Sequence, residues 1–178
     1  PALIALGARL ELQEGKKIRA IPLEEFFLDY KKQDRAPGEF VLAVTVPKLK
    51  GGEHFRCFKL SKRYDQDISA VMGAIKLRLD GRIISNARIA FGGMAATPKR
   101  ARHTEKQLHG INIDDDRAVS DAVAALKDDF KPISDMRASA EYRLTAARNL
   151  LAKAITEIAG TLTQATRVFG RRSDAHAA

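Results

Sequence analysis

The sequence predicts an α+β fold: a small antiparallel sheet packed by helices, preceded by a fragment of another sheet. Three observations carry this prediction. Residues 55–91 hold two long runs of alternating apolar and polar side chains joined at Asp80-Gly81, as antiparallel strands require. From residue 99 to 159 the apolar spacing changes to three and four, the period of helices. Earlier, Ala8, Leu10 and Leu12 alternate with Arg9, Glu11 and Gln13, then turn at Glu14-Gly15 into residues 18–21, a second hairpin.

Taken in order, Leu3, Ile4 and Leu6 make one helical turn opened by Pro1 and ended at Gly7. So short an opening before a hairpin is a poor start for an independent domain. The strand beginning at Ala8 is therefore expected to have an unpaired edge, and a neighbour is expected to cover Leu3, Ile4 and Leu6. Residues 22–30 form a connector bearing Phe26, Phe27 and Tyr30. Ala36-Pro37-Gly38-Glu39 is a turn, residues 40–46 are a dense apolar strand stopped by Pro47, and Gly51-Gly52 marks an exposed loop. In the next strand Phe55, Cys57 and Lys59 share one face and Arg56, Phe58 and Leu60 the other. Residues 68–79 read as a strand, with a helical first half left open, and residues 83–91 return with Ile84, Ala87, Ile89 and Phe91 as core.

Thr97-Pro98 is expected to open a helix over residues 99–109. Asp114, Asp115 and Asp116 place negative charge at a following helix N-terminus, where Val119, Val123 and Leu126 line one face and Phe130 anchors the end. The longest helix covers residues 139–159, with Leu144, Ala147, Leu151 and Ile155 inward, Leu150 and Ile158 beside them, and Gly160 as its stop. Residues 161–178 are expected to be a flexible tail.

With 178 residues, 45% of them hydrophobic, the chain can bury the core of one domain or two small ones. No apolar run approaches the roughly 20 residues that span a bilayer, so no membrane association is expected. A charged n-region of the secretory kind is missing, and a chain opening on proline is expected to be a processed or excised segment. The single cysteine, Cys57, sits in an apolar strand pattern as a small hydrophobe. Net charge is +9, yet basic residues are interleaved with acidic ones, aromatics make up only 6%, and tryptophan is absent. That is not the convergent basic stripe with stacking rings that nucleic acid needs. A basic surface facing an acidic protein or an anionic cofactor fits better.

No chemical engine is evident. His54, His103, His109 and His176 lack metal-ligand spacing, and Ser61, Ser69 and Ser85 lie outside any nucleophile-elbow pattern. Asp65 and Asp67 are either salt-bridged loop residues or cofactor-side groups. The stretch Gly92-Gly93-Met94-Ala95-Ala96-Thr97-Pro98 is either a tight strand-to-helix turn or a ligand or interface loop whose amides cradle an anion. Lys59, followed closely by Lys62 and Arg63, is either a solvated strand lysine or a cation set beside a phosphate or ring oxygen.

Several of these segments, FFLDYKK at 26–32, FRCFKLSKRYDQDIS at 55–69, RIAFGGMAATPKRA at 88–101 and SDMRASAEYRLTAARNLLAKA at 134–154, closely resemble the flavin subunits of the molybdenum hydroxylases. The wording of the second and third resembles the small subunits of bacterial xanthine dehydrogenases in particular. The resemblance implies that residues 1–47 are the end of an FAD-binding domain and residues 53–160 a C-terminal flavoprotein domain. It implies FAD as the cofactor, shared with an upstream segment, and Val41 and Lys59 as its contacts from this chain. The 2Fe–2S clusters and the molybdenum cofactor of such enzymes would be held outside this chain. The implied activity is passage of electrons through FAD to NAD+ during oxidation of hypoxanthine and xanthine to urate, in the cytoplasm. The implied partners are the upstream iron-sulfur/FAD segment and the molybdenum-bearing large subunit, with self-association through the N-terminal region as the other expectation. A non-catalytic module that docks onto other subunits is the alternative reading.

Overall fold

The computed structural model describes residues 1–63 and 67–160; the tail expected at residues 161–178 lies outside them. Helix α1 (Ala2–Leu6) is closed by Gly7 at φ +84°, whose N–H reaches the Ile4 carbonyl at 3.0 Å. Strands β1 (Arg9–Glu14) and β2 (Lys17–Pro22) form the expected hairpin, with Leu10 opposite Ile21. The connector then folds as α2 (Leu23–Phe26) and a miniature hairpin, β3 (Phe27–Asp29) with β4 (Lys32–Gln33). After the turn at Ala36, β5 (Phe40–Thr45) returns antiparallel to the other side of β1.

The sheet order β2-β1-β5 corrects one expectation. The strand after Ala8 is the central strand, paired on both sides, and Ile4 is buried. Alternation identifies a strand but not its partners, and β5 arrives from beyond the β3–β4 hairpin to fill the slot. The sheet's edges are β2 and β5, and on β5 Phe40, Val41, Leu42 and Val44 are all exposed although the strand reads as core.

Strands β6 (Glu53–Leu60), β7 (Val71–Asp80), β8 (Ile83–Gly92) and β9 (Lys99–Arg100) form a second antiparallel sheet in sequence order. Gly81 turns the β7–β8 hairpin at φ +60°, a conformation that favours glycine. Arg78 faces Asn86 while Leu79 faces Ile84, so Ser85 is an extra residue. That bulge explains why Ile84 and Ala87, three apart, bury on one face with Ile89 and Phe91.

Four helices cover this face: α3 (Arg102–Leu108), α4 (Asp116–Ala124), α5 (Leu126–Asp129) and α6 (Ala140–Ala159). Leu108, Leu126, Phe130, Ala147, Leu151 and Ile155 pack on Ile75, Leu77, Ile89 and Phe91. On the opposite face Ala74 and Ala90 are register partners, and their small side chains let α1 lie close, with Ile4, Ala5, Leu10, Leu12 and Phe26 around them. The 20-residue α6 has the expected limits: Ser139 accepts from the Tyr142 N–H at 3.1 Å, and Gly160 ends it at φ +81°. Asp115 caps α4 through the Ala118 N–H at 3.0 Å.

The helix expected over residues 99–109 begins three residues later. Residues 99–101 spend their backbone on the sheet edge, Arg100 opposite Ala90 and the Ala101 N–H on the Ile89 carbonyl at 2.9 Å. The cap of α3 comes from another element: Asp129 accepts the His103 and Thr104 N–H groups at 2.8 Å and the Thr104 hydroxyl at 2.7 Å.

Candidate functional site

Three segments enclose a cavity of about 500 Å³ at one end of the second sheet. The first brings Ile68, Ser69 and Met72 into the start of β7, the second is the turn Gly92 to Ala96, and the third contains Lys131, Ile133, Asp135 and Arg137. Tyr30, largely exposed, reaches the cavity from the first unit.

Two local features hold the walls. Gly93 sits at φ +79° so close to Ala70 that a Cβ there would collide with its carbonyl oxygen. Behind it, the Arg143 side chain comes off the first turns of α6 and is only 3% exposed. Its Nη1 donates to the Ala70 carbonyl and, at 2.8 Å, to the Gly93 carbonyl; its Nη2 donates to Asp135 Oδ1 at 2.7 Å. Burial of the guanidinium is offset by a carboxylate and two carbonyls.

The Arg137 and Ala138 N–H groups, and then the Arg143 guanidinium, hold the Asp135 carboxyl at about 2 against an ordinary 3.8. In the first unit Glu39 is likewise held at about 2, chiefly by its hydrogen bonds from Arg19 at 2.7 and 2.8 Å. Both values lie below those of the unfolded chain, so the stabilisation is present above about pH 4 and is lost as pH falls towards 2. The thermal midpoint is expected to drop across that interval, and Asp135→Asn to flatten the drop; a pH titration of melting temperature with an unchanged slope in the variant would refute the assignment.

Lys59 is exposed on β6, on the Phe55 and Cys57 face, and makes no hydrogen bond or ion pair among the described residues. Its register partner is Met72, which lines the cavity and pairs in turn with Gly92. The lysine therefore stands one strand away from the cavity. Val41, 42% exposed, lies opposite the buried Leu12 on β5, so the two site residues named from sequence belong to different sheets.

Asp65 lies outside the described residues. Asp67 is a loop ligand of its neighbours: it accepts the Arg63 N–H at 3.0 Å and pairs with the Arg63 guanidinium at 3.7 Å. The Gly92-to-Pro98 stretch is not a strand-to-helix turn; it joins β8 to β9, buries Met94 and lends its glycines to the cavity. Sequence reasoning missed Arg143 and Asp135. Arg143 stands four residues before Ala147 on the apolar stripe of α6, and a charge on that stripe was the available signal. Among the described residues no group of three His, Cys, Asp or Glu side chains could hold a metal ion, and no helix is long and apolar enough to cross a membrane.

Comparison with known proteins follows the same division into two units. Residues 56–158 match the family described as CO dehydrogenase flavoprotein C-terminal domain, and residues 1–49 match the FAD binding domain in molybdopterin dehydrogenase. The putative xanthine dehydrogenase FAD-binding subunit XdhB of Escherichia coli is 32% identical, over 88% of this chain and 53% of its own length. The glyceraldehyde dehydrogenase medium chain of Sulfolobus acidocaldarius is 31% identical, over 88% of this chain and 55% of its own. A solved structure of reconstituted CO dehydrogenase from Oligotropha carboxidovorans superposes with TM-score 0.81 at 27% identity, covering 90% of this chain and 55% of that one. The chain thus spans about half the length of these relatives.

Fold and sequence together place the chain among the flavoprotein domains of the molybdenum hydroxylase family. The chain belongs to the CO dehydrogenase flavoprotein C-terminal domain family, with a match to the FAD binding domain in molybdopterin dehydrogenase in front of it.

Proposed function

We propose that the chain is part of the FAD-binding subunit of a cytoplasmic xanthine dehydrogenase, with residues 1–47 completing the FAD-binding domain and residues 53–160 forming its C-terminal partner. The observation that carries this reading is Lys59, uncommitted among the described residues, beside a cavity edged by Met72 and Gly92. A flavin fits that side of the molecule in part. Lys59 supplies a cation that favours negative charge on a reduced ring, and Val41 an aliphatic surface on an open edge strand. When bound, FAD supplies two-electron chemistry, taking electrons from iron-sulfur clusters and yielding hydride to NAD+.

The cavity supports the dinucleotide half of this reading. Its glycine turn allows close backbone approach, Lys131 and Arg137 offer positive charge to a pyrophosphate, and Tyr30 presents an exposed ring for stacking. The open edge of β5 supports an upstream iron-sulfur/FAD segment as neighbour, and the molybdenum-bearing large subunit completes the assembly in which xanthine is oxidised.

Lys59→Ala in the complete subunit is expected to weaken FAD binding about tenfold, the equivalent of ~1.4 kcal/mol. Titration of FAD fluorescence quenching measures it. Equal affinity and equal flavin reduction in the variant would remove Lys59 from the flavin side. Complementation of the upstream segment without any FAD uptake would favour a docking module instead.

A further inference from the structure

We propose that Arg143 is a positioning residue that locks the three walls of the cavity into the shape that receives the anionic dinucleotide acceptor. The inference rests on the reading of that cavity given above and goes beyond it to Arg143, which borders the cavity but directs its hydrogen bonds to the protein. Each wall sends one acceptor to the same guanidinium: Ala70 from the entry to β7, Gly93 from the glycine turn, Asp135 from the third segment. The side chain is almost fully buried and its bonds are spent inward, so its charge is not offered to a ligand as those of Lys131 and Arg137 are. Its Nε is buried and has no partner, so the hold on the walls rests on the Nη1 and Nη2 bonds.

The chemistry of the residue matters here. A guanidinium presents donors in a planar fork, so two carbonyls and a carboxylate can be held in fixed relative directions. A lysine at 143 keeps the charge but gathers its donors on one atom and cannot span the same three acceptors. Asp135 is itself fixed by the Arg137 N–H at 2.8 Å and the Ala138 N–H at 3.1 Å, so movement of the fork is transmitted to the segment bearing Arg137. When bound, anionic reduced FAD would supply hydride, two electrons and one proton, to C4 of the nicotinamide ring, giving oxidised FAD and NADH with no further proton to release. A displaced wall misplaces the nicotinamide while leaving the path to a small outer-sphere oxidant open.

The test uses the complete flavoprotein subunit, with two readouts. Calorimetry gives the Kd of NAD+ for the oxidised protein, and stopped-flow absorbance follows reoxidation of the dithionite-reduced flavin by NAD+ and, separately, by ferricyanide. For Arg143→Lys, the Kd and the half-saturating NAD+ concentration are expected to rise about fivefold or more, well beyond any change in the ferricyanide rate. An unchanged Kd, or an equal loss with both oxidants, would overturn the proposal. If that variant does not fold, Asp135→Asn decides. It keeps the guanidinium and both carbonyl bonds, and a change of about two- to threefold in the same direction is expected; no change overturns the proposal. A wild-type subunit that neither binds NAD+ nor is reoxidised by it overturns the dinucleotide reading as well, which separates the two failures.

Discussion

Glu105→Ala is expected to cost about 3 kcal/mol, the lower end of the penalty for breaking a buried ion pair, because Arg100 keeps Glu24. The carboxylate is 7% exposed and does two things at once. It accepts the Ile89 N–H at 2.7 Å, where β9 no longer pairs with β8, and it binds Arg100 through Nε at 3.0 Å and Nη2 at 2.6 Å. Arg100 also reaches Glu24 at 3.2 Å, which holds Arg88 at 3.0 Å, so removal of one carboxylate unsettles a four-residue ionic chain joining the two units. Against the ~5–15 kcal/mol that typically stabilises a domain, the loss is large. Urea unfolding followed by circular dichroism measures it. A midpoint shift worth less than about 1 kcal/mol would show that Arg100 finds a substitute.

Gly93→Ala is expected to remove at least about 2 kcal/mol and to disturb the cavity as well. The backbone at φ +79° disfavours any side chain, and the new methyl would press on the Ala70 carbonyl oxygen and approach Arg143 Nη1 at 3.0 Å. The first obstacle is backbone, so it cannot swing aside as a flexible side chain would. Gly110, at a similar φ of +82° with nothing within 4 Å of an added Cβ, is the control: it isolates conformational strain from collision. If the two alanine variants lost equal stability by urea unfolding, the close approach at Gly93 would carry no energy.

What could be read beforehand followed from local periodicity. The β7–β8 hairpin turns at Asp80-Gly81, Ile84, Ala87, Ile89 and Phe91 are core, and α6 runs between Ser139 and Gly160, because alternation, turn chemistry and caps are written within a few residues of where they act. What could not be read was long-range. Nothing near Arg102 announces that Asp129 will cap its helix, and nothing near residue 40 says that β5 will be an edge. Residues 99–101 follow a helix-like Thr-Pro signal, but the free edge of β8 competes for their backbone and wins. For the candidate site, Lys59 and the Gly92-Gly93 turn were visible as a cation and a glycine loop, whereas the acceptors of Arg143 come from residues 70, 93 and 135, which its own helix does not announce.

The pairing of Ala74 with Ala90 bears on how separable the two units are. These two alanines lie in the second unit by sequence but complete the apolar core of the first, under Ile4, Ala5 and Leu12. Covalent modularity and energetic modularity therefore part company at the Pro47–Gly52 connector. A cut at that point would break a peptide link while leaving one shared interior, so the first unit is expected to lose stability without the floor it rests on.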